Sequence, residues 1–135
     1  VLGILRARQA QLAAHDAHQA AVVVLDNASG TWLVWATIGS DIDAATTPRQ
    51  PGSALKPFVY AAAFERGWHP GRVLADVPST FPTAEPGILY SPRNYDGRFR
   101  GPMRARVALA GSENVPAVAL ASEIGVASIA DLLRH

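Results

Sequence analysis

Residues 1–19 are rich in Ala, Gln, Leu and Arg, and Leu2, Leu5, Gln9 and Leu12 fall near helical spacing. That pattern predicts an amphipathic helix. The rhythm then changes. Ala21–Leu25 is a continuous, β-branched apolar run, Asp26-Asn27-Ala28-Ser29-Gly30 has turn chemistry, and Thr31–Ile38 is a second run rich in Trp, Val and Thr. Two such runs around a short glycine-ended loop predict a β-hairpin. The first strand shows no alternation, so both its faces are expected to be covered. Trp32 and Trp35 stand three apart, which in a regular strand puts them on opposite faces, as packing residues. Gly39–Gln50 is a polar loop, with Asp41 and Asp43 read as solvated charges.

The next segment predicts a buried helix. Pro51-Gly52 marks a turn and Ser53 suits an N-cap. Pro57 is tolerated only in a first helical turn, and Phe58–Phe64 is apolar all round. Gly67 gives a stop, with Pro70 beyond. Residues 68–101 are long, irregular and rich in proline and glycine, as in a functional cover over a cleft or an interface. Pro102 suits a helix N1 position, with Met103–Ala110 following and ending at Gly111. Ser112-Glu113-Asn114 connects to a helix from Pro116 to Ile124. Gly125 stops it, and a last helix runs from about Ala127 to Leu133. The class is mixed, α/β (α+β), and all 135 residues suit one domain or part of a larger one. The chain starts inside one helix and stops inside another, so it is expected to belong to something longer.

Composition narrows the choices. Twelve basic against eleven acidic residues leave a net charge of +1, and no nucleic-acid footprint is expected. There is no cysteine, hence no disulfide frame and no thiolate chemistry. His15, His18, His69 and His135 lack metal-ligand spacing, so no metal is expected. No apolar run is long enough to span a membrane, and no signal peptide is visible.

One residue choice stands out. Lys56 is the only lysine, and the other eleven cations are arginines. Arginine stays protonated, whereas a desolvated lysine can lose its proton near neutral pH and act as a base. Ser53 lies three residues earlier, on the same face of a helix, so a hydroxyl and an amine become neighbours. That is the pairing of a serine nucleophile with a lysine base. A helix N-terminus beside it favours developing negative charge. The plain alternative is a capping serine and a surface lysine. Ser112 and Asn114, at i and i+2 on a tight connection, can face one cleft; alternatively they cap the two helices.

Taken together, Ser53-Ala54-Leu55-Lys56 and Ser112-Glu113-Asn114 resemble the Ser-x-x-Lys and Ser-x-Asn motifs of penicillin-binding proteins and serine β-lactamases. The Val-Val-Leu-Asp-Asn turn with Gly30, the Gln50–Pro57 block, the Tyr90–Asp96 segment and Asn114–Val118 resemble the transpeptidase domain of class A penicillin-binding proteins. Asp76–Phe81 is most similar to the 1C branch. The resemblance covers nearly the whole chain. It implies a partial transpeptidase fold, with residues 1–135 as the N-terminal part of a D,D-transpeptidase domain.

The resemblance also implies the roles. Ser53 attacks the bond between the terminal D-alanines of a peptidoglycan stem peptide, and Lys56 takes its proton. Ser112 relays a proton at the leaving or attacking amine. Asn114 binds the substrate amide and helps hold Lys56, and the Ser53 amide forms half of an oxyanion hole. β-Lactams would acylate Ser53, and no metal or organic cofactor is implied. The implied location is the cell envelope, on the periplasmic side of the inner membrane, with the membrane anchor outside this chain. The family's Lys-Thr-Gly strand has no counterpart here. Its sheet has five strands, of which only the first two are recognisable, so the later strands are expected to follow in the parent. A chain lacking that strand's oxyanion donor is expected to be a poor catalyst, since one donor carries about 10²–10³ in rate. The alternatives are a non-catalytic β-lactam sensor or scaffold domain with the same motifs, a β-lactamase, whose local glutamate pattern is lacking, and an unrelated α/β module.

Overall fold

The computed structural model describes residues 1–134; His135 lies outside them. The chain forms two compact units, Val1–Gln50 and Pro51–His135.

In the first unit, α1 (Leu2–Ala13) is shorter than its composition suggested and buries no residue fully. Its apolar side chains do not gather into a broad stripe, because alanine and glutamine occupy most of its surface; only Leu5 and Leu12, two turns apart, are half-buried. The helix closes through Asp16, in the left-handed region at φ 57°, and the Ala17 amide donates back to the Leu12 carbonyl. Asp tolerates that conformation better than a bulky residue does.

The predicted hairpin is present, with β1 (Ala20–Leu25) antiparallel to β2 (Trp32–Ile38). Its turn is tied by Asp26, whose carboxylate accepts the Ser29 hydroxyl and amide. Those bonds hold the Asp26 carboxyl below the usual carboxylate range. Two expectations fail here. The first strand is not covered on both faces: Val23, Val24 and Leu25 are exposed, because β1 pairs only with β2 among the described residues. The two tryptophans do not point apart; their rings meet edge-to-face with centroids 5.1 Å apart. The reason is a bulge. Val24 pairs with Val34 but Leu25 pairs with Trp32, so Leu33 is an extra residue. One extra residue inverts the alternation and brings Trp32 to the face of Trp35. Asp43 is also more than a solvated charge: it accepts the Trp35 indole N–H at 2.8 Å and the Ala45 amide at 2.9 Å.

The second unit is built around α2 (Lys56–Glu65). A single 3-10 turn, Gly52–Leu55, leads into it, and Pro57 lies in its first turn as expected. Tyr60, Ala62 and Ala63 are completely buried against α3 (Ala105–Ala110), α4 (Asn114–Ile124) and α5 (Val126–Leu132). Ala105, Ala108 and Ala117 join the same core, and their small side chains let the helices approach closely. Burial is not complete round α2, since Phe58 is exposed. The helix ends at Gly67, φ 85°, with the Gly67 amide on the Phe64 carbonyl and the Trp68 amide on the Ala63 carbonyl. That paired motif needs a left-handed residue, which glycine supplies. Gly125, φ 82°, separates α4 from α5, which meet at 91°.

Residues 68–101 are more ordered than their composition suggested. β3 (Val73–Asp76) pairs antiparallel with β6 (Gly101–Arg104), and β4 (Phe81–Pro82) with β5 (Leu89–Tyr90). Pro102 therefore does not start a helix; it stands in β6 opposite Ala75, on a two-stranded ladder where a missing N–H is tolerated. The helix begins three residues later, its first amides taken by the Arg72 and Pro70 carbonyls.

Candidate active site

Lys56 is the first residue of α2, and its side chain is only 8% exposed. Its ammonium nitrogen donates to the backbone carbonyl of Ser112, to Ser112 Oγ at 3.1 Å and to Asn114 Oδ1 at 2.6 Å. Three residues singled out by the sequence thus converge on one nitrogen. Burial pulls the Lys56 pKa down from the ordinary lysine value, and the nearby Glu113 carboxylate pushes it partly back up. A lysine so placed is closer to serving as a base than a solvated one.

Ser53 lies in the 3-10 turn just before α2 and is exposed. Its carbonyl accepts the Lys56 amide, which sets the two residues one turn apart. It does not cap the helix. No side-chain cap bond forms, because Ser53 sits inside the turn and not in the extended conformation a cap requires. Among the described residues no hydrogen bond engages the Ser53 hydroxyl, so the structure joins Lys56 to Ser112 and Asn114 but leaves Ser53 unpaired beside them.

The Ser112–Asn114 connection gives only half of the expected pair of caps: Ser112 closes α3, but Asn114 does not cap α4. α3 closes with the Ser112 amide on the Leu109 carbonyl and the Glu113 amide on the Ala108 carbonyl. Ser112 occupies the left-handed position of that motif, φ 52°, where glycine is usual. A non-glycine residue there stores of order 1–2 kcal/mol. The conformation turns both Ser112 oxygens onto Lys56. Glu113 precedes α4 in extended conformation without capping it. Gly111 leaves room for the Glu113 carboxylate, since a Cβ there would lie 2.9 Å from Oε1. Glu113 is buried and pairs with Arg100 at 3.0 Å, and Arg100 also reaches Asp96 at 2.9 Å.

The amides at the start of α4 are taken by a residue from the irregular segment. Asn94, buried, accepts the Asn114 and Val115 amides on Oδ1 at 2.8 and 3.2 Å. Its Nδ2 donates to both carboxylate oxygens of Asp76, at 2.8 and 2.9 Å, and to the Arg98 carbonyl. Asp76 is fully buried and also accepts the Arg100 amide at 2.9 Å. Asn114 Nδ2 donates to the Arg93 carbonyl at 2.7 Å, which fixes its Oδ1 toward Lys56. Sequence reasoning assigned Asp76 and Asn94 no role. The available signal was a carboxylate ending the apolar stretch Val73-Leu74-Ala75, at a position whose alternation points inward.

Among the described residues no three His, Asp or Glu side chains stand close enough to hold a metal ion. The arrangement sets a buried amine one turn from an exposed hydroxyl, a pairing capable of proton transfer.

Residues 20–135 match the family model described as the penicillin binding protein transpeptidase domain. Penicillin-binding protein 1A of Neisseria gonorrhoeae is 39% identical over 88 residues, covering 64% of this chain and 11% of its own length. The 1A protein of Rickettsia bellii matches equally, at 39% over 88 residues, 64% of this chain and 11% of the relative. Among solved structures, penicillin-binding protein 1A from Haemophilus influenzae superposes with a TM-score of 0.57 at 39% identity, over 62% of this chain and 12% of that one. The penicillin-binding protein PonA1 from Mycobacterium tuberculosis gives a TM-score of 0.73 at 25% identity, over 96% of this chain and 34% of that one. The chain spans 11% of the length of these curated relatives. They carry the 1A name, where Asp76–Phe81 had suggested the 1C branch.

Proposed function

Because this chain belongs to the penicillin-binding protein transpeptidase domain family, we propose that it is the N-terminal part of a D,D-transpeptidase domain that cross-links peptidoglycan through a serine acyl-enzyme. Ser53 is the nucleophile. Its oxygen attacks the carbonyl between the two terminal D-alanines of a stem peptide, D-alanine departs, and an ester on Ser53 remains. An amine from a neighbouring stem peptide then displaces Ser53 and completes the cross-link. β-Lactams acylate the same hydroxyl. The reaction takes place at the cell envelope, on the periplasmic side of the inner membrane, with any anchor outside this chain.

The observation that carries this reading is the buried Lys56 amine held by Ser112 and Asn114 one turn from Ser53. A neutral amine keeps two N–H donors and one lone pair. The Ser112 carbonyl and Asn114 Oδ1 can only accept, so they take the two N–H groups. The lone pair is left for a hydroxyl proton. It comes from Ser53 as that oxygen attacks, and Ser112 Oγ, within reach of the same nitrogen, passes a proton to the departing amine. Ser53 precedes α2, and its own backbone amide together with the helix dipole stabilises negative charge on the attacked carbonyl oxygen.

Intact-mass analysis of the full-length protein that contains this chain, after incubation with a penicillin, tests the reading. A single adduct is expected, absent in Ser53→Ala and forming about 10²–10⁴ times more slowly in Lys56→Ala. An unmodified mass on folded protein, or an adduct that survives in Ser53→Ala, sinks it.

A further inference from the structure

We propose that Asp76 and Asn94 are positioning residues that set Asn114, and through it Lys56, for proton transfer. Neither side chain hydrogen-bonds to Lys56 or Ser53. Their effect runs through the start of α4, whose adjoining Glu113 makes no side-chain cap bond. Uncapped, the first amides of a helix need an acceptor from elsewhere. Asn94 Oδ1 supplies one for both Asn114 and Val115.

An amide group has two ends, and which end faces α4 matters. Asp76 decides it. A buried carboxylate accepts and cannot donate, so it draws the Nδ2 end of Asn94 and leaves Oδ1 facing the α4 amides. Reversing Asn94 would set its Oδ1 against two carboxylate oxygens and its Nδ2 against two N–H donors. The carboxylate is itself fixed by the Arg100 amide, and the Arg100 side chain pairs with Glu113, between Ser112 and Asn114. Asn94 is thereby tied both to the α4 start and, through Asp76, to Arg100, just before β6. With the Asn114 backbone held by Asn94 and its Nδ2 held by Arg93, its Oδ1 has one direction left, toward Lys56.

This inference rests on reading Lys56, Ser112 and Asn114 as the acylation machinery, and the test separates the two. The variants are Asp76→Asn, Asn94→Asp and the exchange of both. Asn94→Asp sets two buried carboxylates against each other, and Asp76→Asn leaves the Arg100 amide and the Asn94 amide competing for one carbonyl. The exchange restores an amide–carboxylate pair and still offers the α4 amides an acceptor. Two readouts are taken: the rate of Ser53 acylation by a fluorescent penicillin, and hydrogen exchange at the Asn114 and Val115 amides relative to Tyr60 and Ala63 in the core of α2.

Each single variant is expected to slow acylation about ten-fold or more and to speed exchange at Asn114 and Val115 by a similar factor, leaving the α2 amides protected. The exchange variant is expected to recover most of both losses. Single variants that acylate and exchange like the parent overturn the proposal. So does a loss that the exchange variant fails to recover while α2 protection falls in step, since that marks general destabilisation. If the parent is never acylated but amide exchange still follows the predicted pattern, the positioning stands and the transpeptidase reading falls.

Discussion

Two helix starts flank Lys56, and they are held in different ways. α2 begins with an exposed 3-10 turn that has no side-chain cap, and the Ser53 hydroxyl on it has no partner among the described residues. α4 also lacks a cap from its own neighbours, yet its first amides, the Asn114 side chain and the preceding Glu113 are all bonded to residues from the segment between Asp76 and Arg100. On the proposed mechanism, the difference separates two needs of one reaction. A group that moves a proton works best when its geometry is fixed beforehand. A nucleophile that must reach a substrate carbonyl, become esterified and be released is better left accessible.

The strongest way to break that comparison is at Ser112, where rigidity is obtained with a strained backbone. Ser112→Ala removes the hydroxyl next to Lys56 and is expected to slow acylation about 10²-fold. Ser112→Gly removes it too and should slow acylation equally. The two differ in stability: glycine relieves the left-handed conformation, so by chemical denaturation it should be the more stable by about 1 kcal/mol. Equal stability would mean that φ 52° stores no strain.

Glu113 sharpens the electrostatic side. Burial lowers the Lys56 pKa and Glu113 raises it. Glu113→Gln leaves burial unopposed and releases the positive charge of Arg100, so Lys56 loses its proton at lower pH. The rise of acylation rate with pH should move to lower pH, as read from rate profiles of variant and parent. Stability shifts with it. A lysine whose folded pKa is depressed takes up fewer protons folded than unfolded, so its penalty is full below the folded pKa and fades as pH rises toward 10.5. Glu113→Gln extends the range over which stability climbs with pH. A profile that moves to higher pH would contradict this account.

The smallest effect is expected one turn into α2. Among the described residues the Tyr60 hydroxyl is buried without a hydrogen-bond partner, and burial, with the Glu113 charge, pushes its pKa up to about 12. Tyr60→Phe keeps the edge-to-face pair with Phe64 and removes the orphaned oxygen. It should leave acylation unchanged and stabilise the fold by roughly 1 kcal/mol. A clear loss of stability would reveal a partner for that hydroxyl.

The same contrast explains what the sequence could convey. The α2 start is written locally: Pro51-Gly52 makes the turn, Pro57 fixes the first helical turn, and a lone lysine among arginines marks the candidate site. The α4 start was legible only in part. Ser112 and Asn114 were found through their joint resemblance to a motif, and the structure brings both to Lys56. Their support was not legible, because Asn94 reaches α4 across twenty residues and Asp76 reaches Asn94 across eighteen. No periodicity links such positions. The mistakes have the same origin. Pro102 carries a local helix-start signal that a distant pairing with β3 overrides, and the tryptophan faces were inverted by one bulged residue that composition does not reveal.

Lys56 has a practical consequence. It is the only lysine in these 135 residues, so lysine labelled with nitrogen-15 would place a label on that side chain alone among them. Read by magnetic resonance, that single label would report the protonation and occupancy of the site without assignment of any other residue. The chain thus carries a single probe at the amine held by Ser112 and Asn114.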